Sequence, residues 1–264
     1  RQSRNAGEKG LLQQALNYQE AFNSNLKGAQ SIGQANWLMF DYNRGYSDDL
    51  ETSGISDIFR IPKFSYYFYK SQKDIGKDEY SKPMIFIASY YTEESSKKIK
   101  VFSNVEEVAL FLNDSLIERK APSKNSISEE LPHPPFEFDL IKFEKGILKA
   151  VGYVNGKEVV THVVQTPEKA FGLEMILDTS EIPIAANTPD VVFVYAKIID
   201  ENGTLVSNSN AMVKFKIEGG NAKIIGDDLV QAEAGIATIL VRTESKNGDI
   251  KINATSEDLK GTVI

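Results

Sequence analysis

The sequence predicts a mainly β protein, two antiparallel sandwiches preceded by an incomplete α/β segment. Three observations carry this. A helical apolar periodicity opens the chain, and β-rich runs of four to ten residues recur from about residue 84 onward. Between several of those runs sit turn dipeptides, Asn113-Asp114, Asn155-Gly156, Asn202-Gly203 and Asn247-Gly248.

The first element is a helix over 7–27. Leu11, Leu12, Ala15, Leu16, Phe22 and Leu26 recur at three- and four-residue steps and form one apolar stripe, and Gly28 stands at the expected C-cap. Residues 31–40 follow, with Ile32, Ala35, Trp37, Leu38, Met39 and Phe40. That run is neither alternating nor long, which predicts a strand buried on both faces, as in a parallel sheet. A polar loop covers 41–56. Ile61-Pro62-Lys63 then opens a Tyr- and Phe-rich helix over 64–73, with Pro62 in its first turn. Helix, buried strand, loop and helix form the repeat unit of an α/β fold, but one strand cannot make a parallel sheet. Residues 1–75 therefore read as an incomplete α/β domain: either its other strands were cut away, or it packs on the rest of the chain.

After a charged linker at 73–79 the texture changes. Strands are expected at 84–91, 98–103, 108–112, 115–120, 136–139, 146–154 and 157–164. Asn155-Gly156 is the strongest hairpin signal, because both central residues of a type I′ turn need positive φ. Regular strands over 80–166 fit an immunoglobulin-like sandwich. Thr166-Pro167 marks a second boundary. Beyond it, strands at 173–178, 191–200, 211–218, 222–225, 235–242 and 248–254 make 170–264 a second sandwich of the same size. Gly219-Gly220 closes one of those strands, and Tyr195, Ile198, Phe215, Ile217, Ile239 and Val241 are its expected core.

Composition removes several function classes. A net charge of −7 over 264 residues argues against a nucleic-acid partner, since phosphate backbones need a basic face. Apolar runs such as residues 191–196 are far shorter than the roughly 20 residues of a membrane span, so no membrane partner is expected. The absence of cysteine excludes disulfides, thiolate zinc sites and cysteine nucleophiles. Only His133 and His162 could act as an imidazole base. The first lies among prolines and reads as a loop-shaping residue, the second as a strand residue. The opening Arg1-Gln2-Ser3-Arg4 carries no signal-peptide pattern and suggests that the chain starts inside a longer protein.

Carboxylates are plentiful but unpatterned. Asp48, Asp49 and Glu51 share a loop without the spacing of a calcium hand, and read as solvated. Glu106-Glu107, Glu129-Glu130 and Asp227-Asp228 read as charged turns or edges. Neither a Gly-x-Gly-x-x-Gly nor a Gly-x-Ser-x-Gly pattern occurs. Three Asn-x-Ser/Thr sequons begin at Asn113, Asn202 and Asn253 and carry no meaning in a bacterial chain. No cofactor and no metal is expected. The distinctive stretch is Gln34-Ala35-Asn36-Trp37-Leu38-Met39-Phe40-Asp41-Tyr42-Asn43-Arg44-Gly45, where the single Trp ends an apolar run and polar residues follow. In α/β barrels the C-terminal strand ends carry the site. An indole placed there offers a stacking face to a sugar ring.

Residues 34–44, continued by Gly54-Ile55-Ser56-Asp57-Ile58-Phe59-Arg60-Ile61-Pro62-Lys63 and Tyr66-Tyr67-Phe68-Tyr69-Lys70-Ser71-Gln72, resemble the end of the catalytic barrel in family 2 glycoside hydrolases, the β-galactosidase and β-glucuronidase relatives. The family's last barrel strand ends in a similar Trp-x-x-x-Asp, and its final helix carries a like Pro-Lys-x-x-Tyr-Tyr stretch. Val101-Phe102-Ser103-Asn104-Val105-Glu106-Glu107-Val108, His133-Pro134-Pro135-Phe136 and Leu148-Lys149-Ala150-Val151-Gly152-Tyr153 are similar to the sandwich that follows the barrel in Bacteroides-type members. Val194-Tyr195-Ala196-Lys197-Ile198-Ile199-Asp200 is similar to their terminal invasin-like immunoglobulin modules.

The resemblance implies a fold of two immunoglobulin-like sandwiches behind a remnant of a TIM barrel, its last strand and flanking helices. It implies a parent that hydrolyses terminal β-linked sugars with two glutamates about 5 Å apart in a retaining geometry. Of the glutamates before the linker, Glu8, Glu20 and Glu51, none stands in a matching context, so no catalytic residue is assigned and the chain alone should be inactive. Trp37 matches the Trp that lines the sugar subsite. Asp41 matches the following Asp more loosely and equally suits a loop anchor; both are the substrate-binding candidates. Leu38 and Met39 depart from the family's second aromatic or acid, which leaves the sugar open. The expected partner is carbohydrate, a β-galactoside or related glycan, with the sandwiches bracing the barrel, shaping the rim of the site or mediating homo-oligomer contacts. The family favours a periplasmic or secreted location. The rival reading is a carbohydrate- or protein-binding sandwich module without an enzymatic role, with Tyr90, Tyr91, Phe136 and Phe143 as its exposed aromatics.

Overall fold

A computed structural model describes residues 1–184, 188–244 and 248–263. The chain divides into two compact units, Arg1–Thr166 and Pro167–Ile264.

The first unit opens with a helix, α1 (Gly7–Lys27). Next come the two-residue strands β1 (Tyr42–Asn43) and β2 (Leu50–Glu51), paired antiparallel, and the helix α2 (Phe64–Ser71). The β part contains β3 (Ile85–Ile87), β4 (Lys98–Ser103), β5 (Glu107–Leu112), β6 (Ser115–Lys120), β7 (Phe136–Asp139), β8 (Ile147–Val154) and β9 (Lys157–Gln165). These form a three-stranded sheet β3-β4-β7 and a four-stranded sheet β6-β5-β8-β9. Between them Ile87, Ile99, Val101, Val108, Leu110, Phe136, Phe138 and Leu148 make the sandwich core. Phe102 belongs to a second core, with Leu11 and Ala15 of α1 and Phe64 and Phe68 of α2. The three-stranded sheet is thus covered on both faces, by its partner sheet and by the helices.

The apolar stripe of α1 is real, but the helix also buries Gln14, Gln19 and Asn23. Their amides replace backbone partners. Gln14 Nε2 donates to Thr52 O and Gly54 O, Gln19 Nε2 to Ile127 O, and Asn23 Nδ2 to Ser126 O. Two loops are tied in this way to one helix, at 52–54 and at 126–130. The residues after α2 are held as well. Asn104 Nδ2 donates to Lys73 O and Lys82 O, and Gln72 brackets His133 by donating to its carbonyl at 2.9 Å and accepting its N–H.

The second unit is a sandwich of β10 (Gly172–Asp178), β11 (Val191–Ile199), β12 (Met212–Glu218), β13 (Ala222–Ile225), β14 (Leu229–Gln231), β15 (Ile236–Thr243), β16 (Lys251–Ser256) and β17 (Leu259–Val263). Its sheets are ordered β10-β11-β15-β13 and β14-β12-β16-β17. Val192, Val194, Ala196 and Ile198 alternate inward from β11 against Phe215, Ile239, Val241 and Ile252. The buried Asp200 carboxylate closes the turn after β11, accepting the N–H groups of Asn202 and Thr204 through one oxygen and of Glu168 through the other.

The mainly β architecture with two sandwiches agrees with the expectation, and several details are corrected. Residues 31–40 do not form a strand: only Phe40 makes a bridge, parallel to Ser56. A parallel strand needs a neighbour along its length to take its hydrogen bonds, and among the described residues only 38–40 meet one, the 55–56 segment, in too short a run to form a sheet. Gly28 ends α1 in an extended conformation (φ −72°), so its left-handed freedom is not used. Helix α2 starts at Phe64 with Lys63 as N-cap, which leaves Pro62 outside its first turn. Tyr195 sits half-buried on the face opposite the core, because strand alternation turns Val194 and Ala196 inward. Leu229–Gln231 and Leu259–Val263 are two further strands beyond those expected from the sequence. Asn113-Asp114 and Asn155-Gly156 have the positive φ values expected of them. At Asn202-Gly203 only the glycine has positive φ, in a turn capped by Asp200. The turn expected at Asn247-Gly248 lies partly outside the described residues.

Candidate functional site

The site is built on residues 36–63. Trp37 stands 71% exposed, and its ring meets Tyr42 edge-on at 6.3 Å. The Trp37–Leu38 peptide bond is cis. Its neighbours Ile32 and Met39 are exposed as well. An open groove of about 720 Å³ runs beside Met39, lined by Ile55, Tyr66, Tyr69 and Tyr80.

The backbone that carries the indole is stitched to the 54–56 segment. Ile55 N donates to Leu38 O at 3.1 Å, Ser56 N to Met39 O at 2.9 Å, and Asp41 N to Ser56 O at 3.0 Å. Lys63 N in turn donates to Ile55 O at 2.9 Å. Asp41 is buried among these strands of contact. Its Oδ1 accepts Gly54 N at 2.8 Å, and Lys63 Nζ lies 2.8 Å from each carboxylate oxygen and 3.2 Å from Thr52 O. Burial pushes the Asp41 carboxyl above the usual carboxylate range, with the Lys63 ammonium pulling it back. The structure therefore brings Trp37 and Asp41 onto one short segment, the indole outward and the carboxylate inward.

The surroundings are similarly tied. Asp57 Oδ1 accepts Phe59 N and Ile61 N, while its Oδ2 meets Arg4 Nη1 at 3.3 Å, both side chains buried. Glu51 pairs with Arg44 at 2.8 Å and Arg1 at 3.0 Å, and the Ser53 hydroxyl followed by those cations holds its carboxyl low. Arg44 also reaches Asp49 at 3.4 Å, so two of the three loop carboxylates face a cation of the chain itself. Tyr69 Oη lies 3.4 Å from Asn36 Oδ1, and burial, then Tyr18, raises its phenol. Among the described residues no cluster of three His, Asp or Glu could hold a metal ion.

Sequence reasoning singled out Trp37 and Asp41 but not the partners that fix them. Gly54 and Lys63 stand in the stretch that carries the family resemblance, yet nothing in the string pairs either with Asp41. A lysine is expected in solvent, and Lys63 is fully buried.

The comparisons with known proteins bear on this region and on both sandwiches. Residues 94–160 match a family described as a domain of unknown function, DUF4982. Residues 173–264 match the family described as glycoside hydrolase family 2 C-terminal domain 5. A β-galactosidase of Thermoanaerobacter pseudethanolicus is 36% identical over 85% of this chain. The chain belongs with the C-terminal portions of family 2 glycoside hydrolases. A β-glucuronidase of Formosa agariphila is 25% identical over 89% of this family 2 chain. The chain spans 32% of the first relative's length and 24% of the second's. Among solved structures, a β-glycosidase from Bacteroides vulgatus superposes with a TM-score of 0.78 at 18% identity, covering 93% of this chain and 32% of that one. A family 2 β-glucuronidase superposes with a TM-score of 0.77 at 21% identity, covering 98% and 28%. Both support the fold.

The aromatics that a binding-module reading of this family 2 chain would expose are turned inward. Tyr91 and Phe136 are buried in the sandwich core, Tyr91 hydrogen-bonds Glu144 O at 2.7 Å, and Tyr90 and Phe143 are half-buried.

Proposed function

We propose that this chain is the non-catalytic C-terminal portion of a glycosidase acting on terminal β-linked sugars, β-galactosidase-like and retaining. In that reading the parent's two glutamates lie outside residues 1–264, and the chain contributes one wall of the sugar subsite. The exposed indole of Trp37 supports it: a large apolar ring is held at the edge of an ordered segment, with the Tyr42 ring edge-on beside it. Such a face suits the apolar side of a pyranose. The first sandwich braces this segment through α1, which is tied to the 52–54 loop and to the 126–130 loop at once. Carbohydrate is the partner of the parent, and the periplasm or the exterior is its proposed location.

The test is Trp37→Ala in the full-length protein, assayed on p-nitrophenyl β-galactoside and p-nitrophenyl β-glucuronide. Loss of the platform should lower kcat/KM on the preferred sugar by about tenfold or more. Unchanged kcat/KM on both sugars would refute the platform.

A further inference from the structure

We infer that Asp41 is a positioning residue that sets Trp37 from below, acting through Lys63 and Gly54 and not by touching sugar. The sugar role of the indole rests on the reading above; the positioning rests on geometry alone. Trp37 is 71% exposed, so core packing cannot fix its ring, and its orientation must come from the backbone beneath it. That backbone, residues 38–41, is held by Ile55 N, Ser56 N and Ser56 O, and the 54–56 segment is held by Asp41 and Lys63.

Three features make this a device and not an incidental ion pair. Lys63 and Asp41 are both buried, at 0% and 4% exposure, so removing one leaves the other as an uncompensated charge. Both Asp41 oxygens are engaged by Lys63, one also takes the Gly54 N–H, and the carboxylate is buried beneath the segment, so it presents no oxygen at the surface to a sugar hydroxyl. Gly54 has no room for a side chain: a Cβ there would stand 2.3 Å from Asp41 N and 2.5 Å from Ser56 O. The close approach of the two segments depends on that glycine, and the ion pair closes it from inside.

Trp37 is the only tryptophan, so the tryptophan emission of the whole chain reports this one position. The experiment compares wild type, Asp41→Asn and Lys63→Met by steady-state anisotropy and acrylamide quenching of that emission, alongside far-UV circular dichroism at the same temperature. Asp49→Asn, in the same stretch but exposed, is the control. Both pair variants should lose anisotropy and gain quenching while the dichroism of the sandwiches is retained, and the control should match wild type. Native emission that is unchanged in both pair variants, with only the melting temperature lowered, would overturn the proposal and leave Asp41 a structural residue. Where neither variant folds, hydrogen exchange on the wild-type chain decides: the Gly54, Ile55 and Ser56 amides must be protected, and free exchange at all three overturns it. These readouts contain no sugar. Failure of the platform reading would show instead in the Trp37→Ala kinetics of the full-length protein.

Discussion

The Nδ1 atom of His162 accepts the backbone N–H of Ile87 at 3.2 Å, so a side chain of β9 takes up a donor on the edge strand β3. Its ring lies 5.0 Å from that of Phe86. The bond requires a neutral imidazole, because a protonated ring presents donors at both nitrogens.

A pH dependence follows. Burial lowers the His162 pKa from 6.5, so the unfolded chain binds this proton more readily than the folded one. The contribution of His162 to stability is complete above pH 6.5 and is lost as the pH falls through that value toward the depressed folded pKa. Thermal melts of the chain between pH 7.5 and 5 should therefore fall more steeply for wild type than for His162→Gln, whose amide oxygen accepts the same N–H without titrating. Identical slopes would show that the bond does not matter.

Glu8, in the first turn of α1, takes four hydrogen bonds through its carboxylate: from Ser89 Oγ at 3.0 Å, Tyr90 N at 2.6 Å, Ser95 Oγ at 2.7 Å and Ser96 N at 3.1 Å. It clamps the helix to the loop between β3 and β4. Glu8→Ala should destabilise the first unit by about 2 kcal/mol, since several donors lose a charged acceptor. Glu8→Gln should cost less, because one oxygen remains. Urea unfolding followed by circular dichroism measures both.

Phe215 on β12 is 1% exposed and lies in the core of the second sandwich. Phe215→Ala should cost about 3–5 kcal/mol through lost burial and the cavity left behind. Differential scanning calorimetry should show the transition of the second unit moving down. A variant whose melt overlays wild type would contradict the assignment of this core.

The parts of the fold that were legible in the sequence are those where local chemistry decides. Asn155-Gly156 and Asn113-Asp114 take left-handed φ because short polar residues and glycine tolerate it. The 7–27 helix shows its stripe because Leu11 and Ala15 face a core. The rest depended on partners that a string does not show. Gln14, Gln19 and Asn23 look like a solvent face, and they are buried because two loops bring backbone groups to their amides. Leu229–Gln231 and Leu259–Val263 were missed because their apolar residues are few, and pairing with β12 and β16 makes them strands. Residues 31–40 read as buried because they are apolar, yet Ile32 and Trp37 are exposed, since apolar composition states a demand for cover and not what supplies it. Of the site, the indole was legible as a type and a place. The Asp41–Lys63 pair was not, because twenty-one intervening residues separate its members.

The most direct test is turnover of p-nitrophenyl β-galactoside by the isolated 264-residue chain. Acid catalysis and a nucleophile are both needed to cleave a glycoside with retention, and a single platform supplies neither. The chain should release p-nitrophenol no faster than buffer. Turnover above that rate, abolished by one Glu substitution within residues 1–264, would contradict the account.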